Sequence, residues 1–180
     1  MKNKYIKYLH ILLCTVFVIL WGCQQESNHS AAPVAFNTNP FAGLWTLHIM
    51  ELQDPQSGEY HEWRDGLQGY LLYDNTDNMS VHLTTKGYQA TDLVFPNFND
   101  TISLEALKHL TKSYVYFAKY TVDEANQTVQ HARISHHNPT EWNKVVTRKY
   151  TFVDDTLVLE PVENTFGKLR LKWVRDKGES

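Results

Sequence analysis

A disulfide framework is excluded at the outset, because the chain carries only two cysteines, Cys14 and Cys23, among 180 residues. Glycine and proline are also scarce, at 8 and 6 residues, which argues against a collagen-like or low-complexity chain. No surplus of basic residues exists: 17 Lys and Arg face 20 Asp and Glu, so nucleic acid is not an expected partner. Catalytic signatures are missing too. There is no Gly-x-Ser-x-Gly, Walker loop, Gly-x-Gly-x-x-Gly or His-Glu-x-x-His. What the chain has is apolar and aromatic bulk, 42% and 13% of residues, enough to fold one domain with appendages.

The first segment reads as an export signal. Lys2, Lys4 and Lys7 form a positive start, and Leu9–Trp21 is an apolar run broken by His10 and Thr15. That run is short for a bilayer-spanning helix, which takes about 20 apolar residues. Leu20-Trp21-Gly22-Cys23 resembles the lipobox of bacterial lipoproteins. The resemblance implies cleavage after residue 22 and acylation of Cys23, palmitate included, with the membrane as a partner through that anchor. A plain N-terminal anchor with an incidental cysteine is the alternative. Three lysines and no acidic residue leave with residues 1–22, so 14 basic against 20 acidic residues give the mature chain a charge of -6. With Cys14 removed and Cys23 acylated, the core must hold by packing alone. Residues 23–40 follow as the acylated cysteine and a polar, flexible tether, and the globular domain is expected over 41–176 at the cell envelope, facing periplasm or exterior.

From Gly43 onward the apolar period is mostly two. Trp45, Leu47 and Ile49 alternate with Thr46, His48 and Met50, and Leu67–Tyr73, Met79–Thr85, Tyr114–Val122, Thr128–His137, Val145–Val153, Thr156–Glu160 and Lys168–Arg175 read as further strands. Turn clusters separate them, such as Asp74–Asn78 and Asp123–Gln127. The expected fold is all-β: a closed antiparallel up-and-down β-barrel of about eight strands, since closure removes exposed edges and leaves room for one small ligand. A β-sandwich is the alternative. Between Gly87 and Ser113 the spacing of Leu104, Leu107 and Leu110 predicts a short amphipathic helix capped by Ser103. It would serve as a lid or as a plug, and either role turns its leucines inward.

Several fragments together resemble the lipocalin-like domain family of calycin-type barrels. Gly43-Leu44-Trp45 is similar to the Gly-x-Trp that opens lipocalins, and Gly69-Tyr70-Leu71-Leu72-Tyr73 with Met79-Ser80-Val81 to the family's next hairpin. Tyr114 to Tyr120, Thr128-Val129-Gln130-His131, Pro139, Arg148 and Leu171-Lys172-Trp173-Val174-Arg175 come in the family's order. The resemblance implies that Trp45 packs at the closed end beneath Arg175, as the structural base of the barrel.

Within a barrel, Arg148 shares a face with Val146, Tyr150 and Phe152 and would point inward. It would receive an anionic or carbonyl group of a ligand, or else form an internal salt bridge, to Glu51 or Glu62 for example. His131 would hydrogen-bond a ligand or act as an acid–base group, or else be a satisfied core histidine. Tyr116, Tyr120 and Tyr150 are further candidates for the cavity wall, or ordinary strand aromatics. His136 falls on the opposite strand face from His131 and His137, so no metal site is expected. No cofactor and no catalytic residue are expected. The reading is a lipid-anchored barrel binding a small hydrophobic or amphipathic ligand. A cofactor-free isomerase or cyclase, or a structural lipoprotein with a filled core, are the alternatives.

Overall fold

The computed structural model describes residues 39–96, 98, 101–163 and 168–177. The signal segment, Cys23 and nearly all of the tether lie outside the described residues. Nine strands run in chain order: β1 (Gly43–Gln53), β2 (Tyr60–Glu62), β3 (Leu67–Tyr73), β4 (Asn78–Thr85), β5 (Ser113–Asp123), β6 (Thr128–His136), β7 (Val145–Val153), β8 (Thr156–Pro161) and β9 (Leu169–Arg175). Every pairing is antiparallel, each of β3 to β9 pairs with its neighbour, and β9 returns to β1. Eight strands therefore close into an up-and-down barrel, and the sandwich is excluded.

β2 is the ninth strand and stands outside the ring, paired only with Glu51–Gln53 of β1. Its sequence, Tyr-His-Glu, has no apolar alternation; the backbone ladder, Arg170 over the Tyr60 ring at 3.6 Å and the Glu62–Lys86 pair hold it. All hairpins at one end are short. At β3–β4 the Asp74 carboxylate accepts from the backbone N–H groups of Thr76 and Asn78, at 2.8 and 2.9 Å, a local arrangement that fixes the turn. These hydrogen bonds, led by that from the Asn78 side chain, hold the Asp74 carboxyl well below the usual carboxylate range. The long connections lie at the other end, between β1 and β3, β4 and β5, β6 and β7, and β8 and β9.

The short-hairpin end is sealed. Phe41 lies among Tyr73, Tyr150 and Phe152 with ring centres 4.9–5.2 Å apart, all edge-on, and its carbonyl accepts the Trp45 indole N–H at 2.8 Å. Arg175 pairs across the sheet with Trp45 and sets its guanidinium 4.1 Å from the indole centre, while donating to the carbonyls of Ala42 and Pro40. Such a stack contributes about 0.5–2 kcal/mol. Gly69 permits the close strand approach in the wall: a Cβ there would meet the His82 carbonyl oxygen at 2.0 Å, and its φ is +147°.

The single α-helix among the described residues, α1 (Leu104–Leu110), has Ser103 as N-cap, its hydroxyl accepting from Ala106 N–H at 3.1 Å. Its orientation corrects the sequence reading. Ala106 and His109 are buried, whereas Leu104, Leu107 and Leu110 are exposed. The reason lies in the preceding connection: the His109 ring packs against Tyr88 and Phe95, and its Nε2 pairs with the Tyr88 carbonyl at 2.8 Å. The helix is fastened by its polar face, so its leucines are not a plug.

Candidate functional site

Barrel alternation aims one side chain in two at the interior, and on β5 and β6 an unusual share of those is polar. Tyr116 on β5, and His131 and Arg133 on β6, are all buried. Opposite Phe117 and Ala118 the ladder slips, pairing them with Ser135 and Arg133 and leaving Ile134 as an extra residue. A bulge of this kind reverses the facing of the strand residues beyond it. His136 is consequently buried, on the same side as His131 and Arg133, which corrects the expectation from strict alternation. His137 also differs from that expectation, since its ring stacks on His136 at 4.7 Å.

His131 is 1% exposed and both its ring nitrogens are engaged: Nε2 with the Tyr73 hydroxyl at 2.8 Å and Nδ1 with the Tyr116 hydroxyl at 2.9 Å. A neutral imidazole has one donor and one acceptor nitrogen, so one tyrosine donates and the other accepts. Burial, and then the positive charges of Arg148 and Arg133, pushes the His131 pKa down to about 3. Burial likewise pushes the Tyr73 and Tyr116 hydroxyls up. The three groups form a neutral, mutually satisfied chain across the barrel. Its geometry leaves His131 no ring nitrogen for a proton transfer to a bound molecule.

Nearer the long-connection end, Arg133 forms an ion pair with Glu141 and donates through Nη2 to the Tyr114 hydroxyl at 2.6 Å. Its guanidinium lies 5.0 Å from the centre of the Tyr116 ring. The His136 ring stacks parallel to Tyr116 at 5.9 Å and meets Tyr114 edge-on at 5.0 Å. His136 Nδ1 accepts the Asn138 backbone N–H at 2.9 Å. Three buried side-chain atoms have no hydrogen-bond partner among the described residues: Arg133 Nε, His136 Nε2 and, in the sealed half, Trp173 Nε1.

Arg148 has a side chain only 16% exposed, and it is paired with Glu163 at 3.0 Å while also donating to the Thr147 carbonyl at 3.0 Å. The salt-bridge partners named from sequence are engaged elsewhere: Glu51 with Arg170 and Lys172, Glu62 with Lys86. Tyr120 and Tyr150 lie by the seal, beside Phe41, and the Tyr120 hydroxyl donates to the Asp74 carbonyl at 2.9 Å. The structure thus joins Tyr116 to His131 by a hydrogen bond, sets Tyr120 across the ladder from His131 with its ring 4.8 Å from that of Tyr73, and places Tyr150 at the seal. Sequence reasoning passed over Tyr73, Tyr114, Arg133 and His136. Arg133 shares the parity of His131 and was open to detection by that signal; His136 was hidden by the bulge.

Partly buried apolar side chains occur at both ends of the wall, Val122, Tyr150 and Phe152 toward the short hairpins and Leu67, Tyr114 and Leu171 toward the long connections, around Trp45, Tyr73, Leu157 and Trp173, which are at most 1% exposed. A separate polar cavity of about 380 Å³ lies in the β4–β5 connection, lined by Lys86, Tyr88, Lys108 and His109 among others. Among known proteins, a family model described as a lipocalin-like domain matches residues 42–174. No curated protein matches the chain.

Proposed function

The chain belongs to the lipocalin-like domain family, and from that premise we propose that it holds a small hydrophobic or amphipathic molecule inside the barrel while a lipid on Cys23 tethers it to a bacterial cell envelope. The observation that carries the binding reading is the group of buried polar side chains inside the barrel, Tyr116, His131, Arg133 and His136, two of them with an unpartnered atom, at the end away from the seal of Phe41, Trp45 and Arg175. A concave apolar surface with a few polar side chains is what small-molecule sites require. Tyr116, His131 and Arg148 supply polarity to that interior, His131 by positioning Tyr116 and Tyr73 rather than by touching a ligand with a free nitrogen. Anchoring is supported by Leu20-Trp21-Gly22-Cys23 and by the polar stretch after it. No observation favours the isomerase or cyclase reading, because the one interior histidine named for it is saturated.

One preparation tests both halves. Protein purified from the envelope of a bacterial host after feeding an alkyne-tagged palmitate is expected to carry the tag, and Cys23→Ser to lack it. Native mass spectrometry of the same sample is expected to show a co-purifying small molecule at one per chain. An untagged wild type removes the anchor; a bare chain in native spectra, unable to take up any added apolar probe, removes the ligand-binding role.

A further inference from the structure

Two of the three unpartnered buried atoms lie in one neighbourhood. Arg133 and His136 are each 5% exposed, and both contact the same two rings, Tyr114 and Tyr116. Both unpartnered atoms are donors. Arg133 Nε always bears a hydrogen. At His136, Nδ1 accepts from Asn138, so the neutral ring carries its hydrogen on Nε2. Burial, then the charges of His137 and Arg133, hold that ring below its ordinary pKa and in the neutral form. The Tyr114 hydroxyl accepts from Arg133 and keeps its own hydrogen to give. A buried donor without an acceptor costs about 1–3 kcal/mol, so two such donors on side chains packed against the same pair of rings call for an acceptor.

Charge decides what kind of acceptor suits them. The buried Arg133 guanidinium is already paired with Glu141, whose other oxygen holds the exposed Lys144, and Arg148 is paired with Glu163. A carboxylate placed here would be a second, buried anion beside Glu141, whereas an uncharged oxygen meets the donors without that desolvation cost. The aromatic faces of Tyr114 and Tyr116 beside it suit an apolar body.

We propose that Arg133 Nε, His136 Nε2 and the Tyr114 hydroxyl form a subsite for the carbonyl oxygen of an uncharged apolar ligand, such as a ketone, enone, quinone or ester. This rests on the reading of the barrel as a ligand-binding one, and narrows its ligand class.

Three probes of one chain length separate the possibilities: dodecan-2-one, dodecane and dodecanoate, each titrated into the full chain and monitored by tryptophan fluorescence. Dodecan-2-one is expected to bind about tenfold more tightly than either of the others, the scale of one good hydrogen bond. Its carbonyl stretch, read by infrared difference spectroscopy with a ¹³C label, is expected to move to lower wavenumber on binding to the wild type. His136→Phe keeps an aromatic ring and is expected to lower ketone affinity about tenfold while leaving dodecane binding unchanged. The infrared reading stands if that variant does not fold. Equal binding of dodecane and ketone, tighter binding of dodecanoate, or an unshifted stretch overturns the carbonyl subsite and leaves the ligand-binding barrel standing. Failure of all three to bind overturns both.

Discussion

His131 shows how a single side chain can be read correctly by face and yet not by role. Its position on an inward strand face is set by alternation with Val129, but nothing local indicates that Tyr73, 58 residues away, and Tyr116 take both its nitrogens. Replacing it with Phe leaves two buried hydroxyls unmet, and a loss of about 3 kcal/mol is expected in urea unfolding at pH 7. The same residue gives a pH signature. Its pKa falls from 6.5 unfolded to about 3 folded, so unfolding takes up a proton between those values. Stability from this group is complete above about pH 6.5 and declines as pH falls toward about 3, at up to ~1.4 kcal/mol per pH unit. Urea midpoints of wild type and His131→Phe measured from pH 7.5 to 4 should therefore converge; parallel curves would mean that folding leaves the His131 pKa unchanged. Arg133 and Arg148 teach the complementary lesson. Both occupy inward positions, and only the connections, which supply Glu141 and Glu163, distinguish their surroundings.

At the scale of elements, strands were legible wherever alternation ran for several residues. β7 and β9 are the cleanest cases, with Tyr150 and Phe152, or Leu171 and Trp173, on one face. β2 escaped because three residues, Tyr-His-Glu, are too few to show an apolar period. The bulge at Ile134 escaped because an extra residue is visible only in the pairing with β5. For α1 the cap and the helical spacing were legible, but the facing was not: leucines at a helical period mark a face without saying what covers it. Tyr88 and Phe95 bind the opposite side through His109. Leu107→Ser is accordingly expected to change stability by no more than about 0.5 kcal/mol. His109→Ala removes a buried ring and its bond to the Tyr88 carbonyl, so faster amide exchange over residues 86–112 is expected by mass spectrometry, with the barrel strands unaffected. A leucine variant that unfolds the protein, with His109→Ala silent, would reverse this assignment of faces.

For the whole molecule, closure between β1 and β9 makes the rest possible. It joins the two ends of the eight-stranded ring, places Arg175 over Trp45, and gives the alternating strands a common interior. Closure was legible from strand number and short turns, and the seal from the family resemblance. The polar lining on β5 and β6 was only half legible, since it depends on partners distant in sequence and on one irregular pairing. Saturation of the interior by an apolar dye reports on the central claim most directly. Nile red titrated into the wild type and into Val146→Trp, which adds an indole opposite His131 on the inward face, separates interior from surface binding. The expected result is one saturable site per chain in the wild type, abolished or weakened at least tenfold in a folded Val146→Trp. Unsaturable fluorescence, or equal binding by both proteins, would contradict a barrel with room inside it.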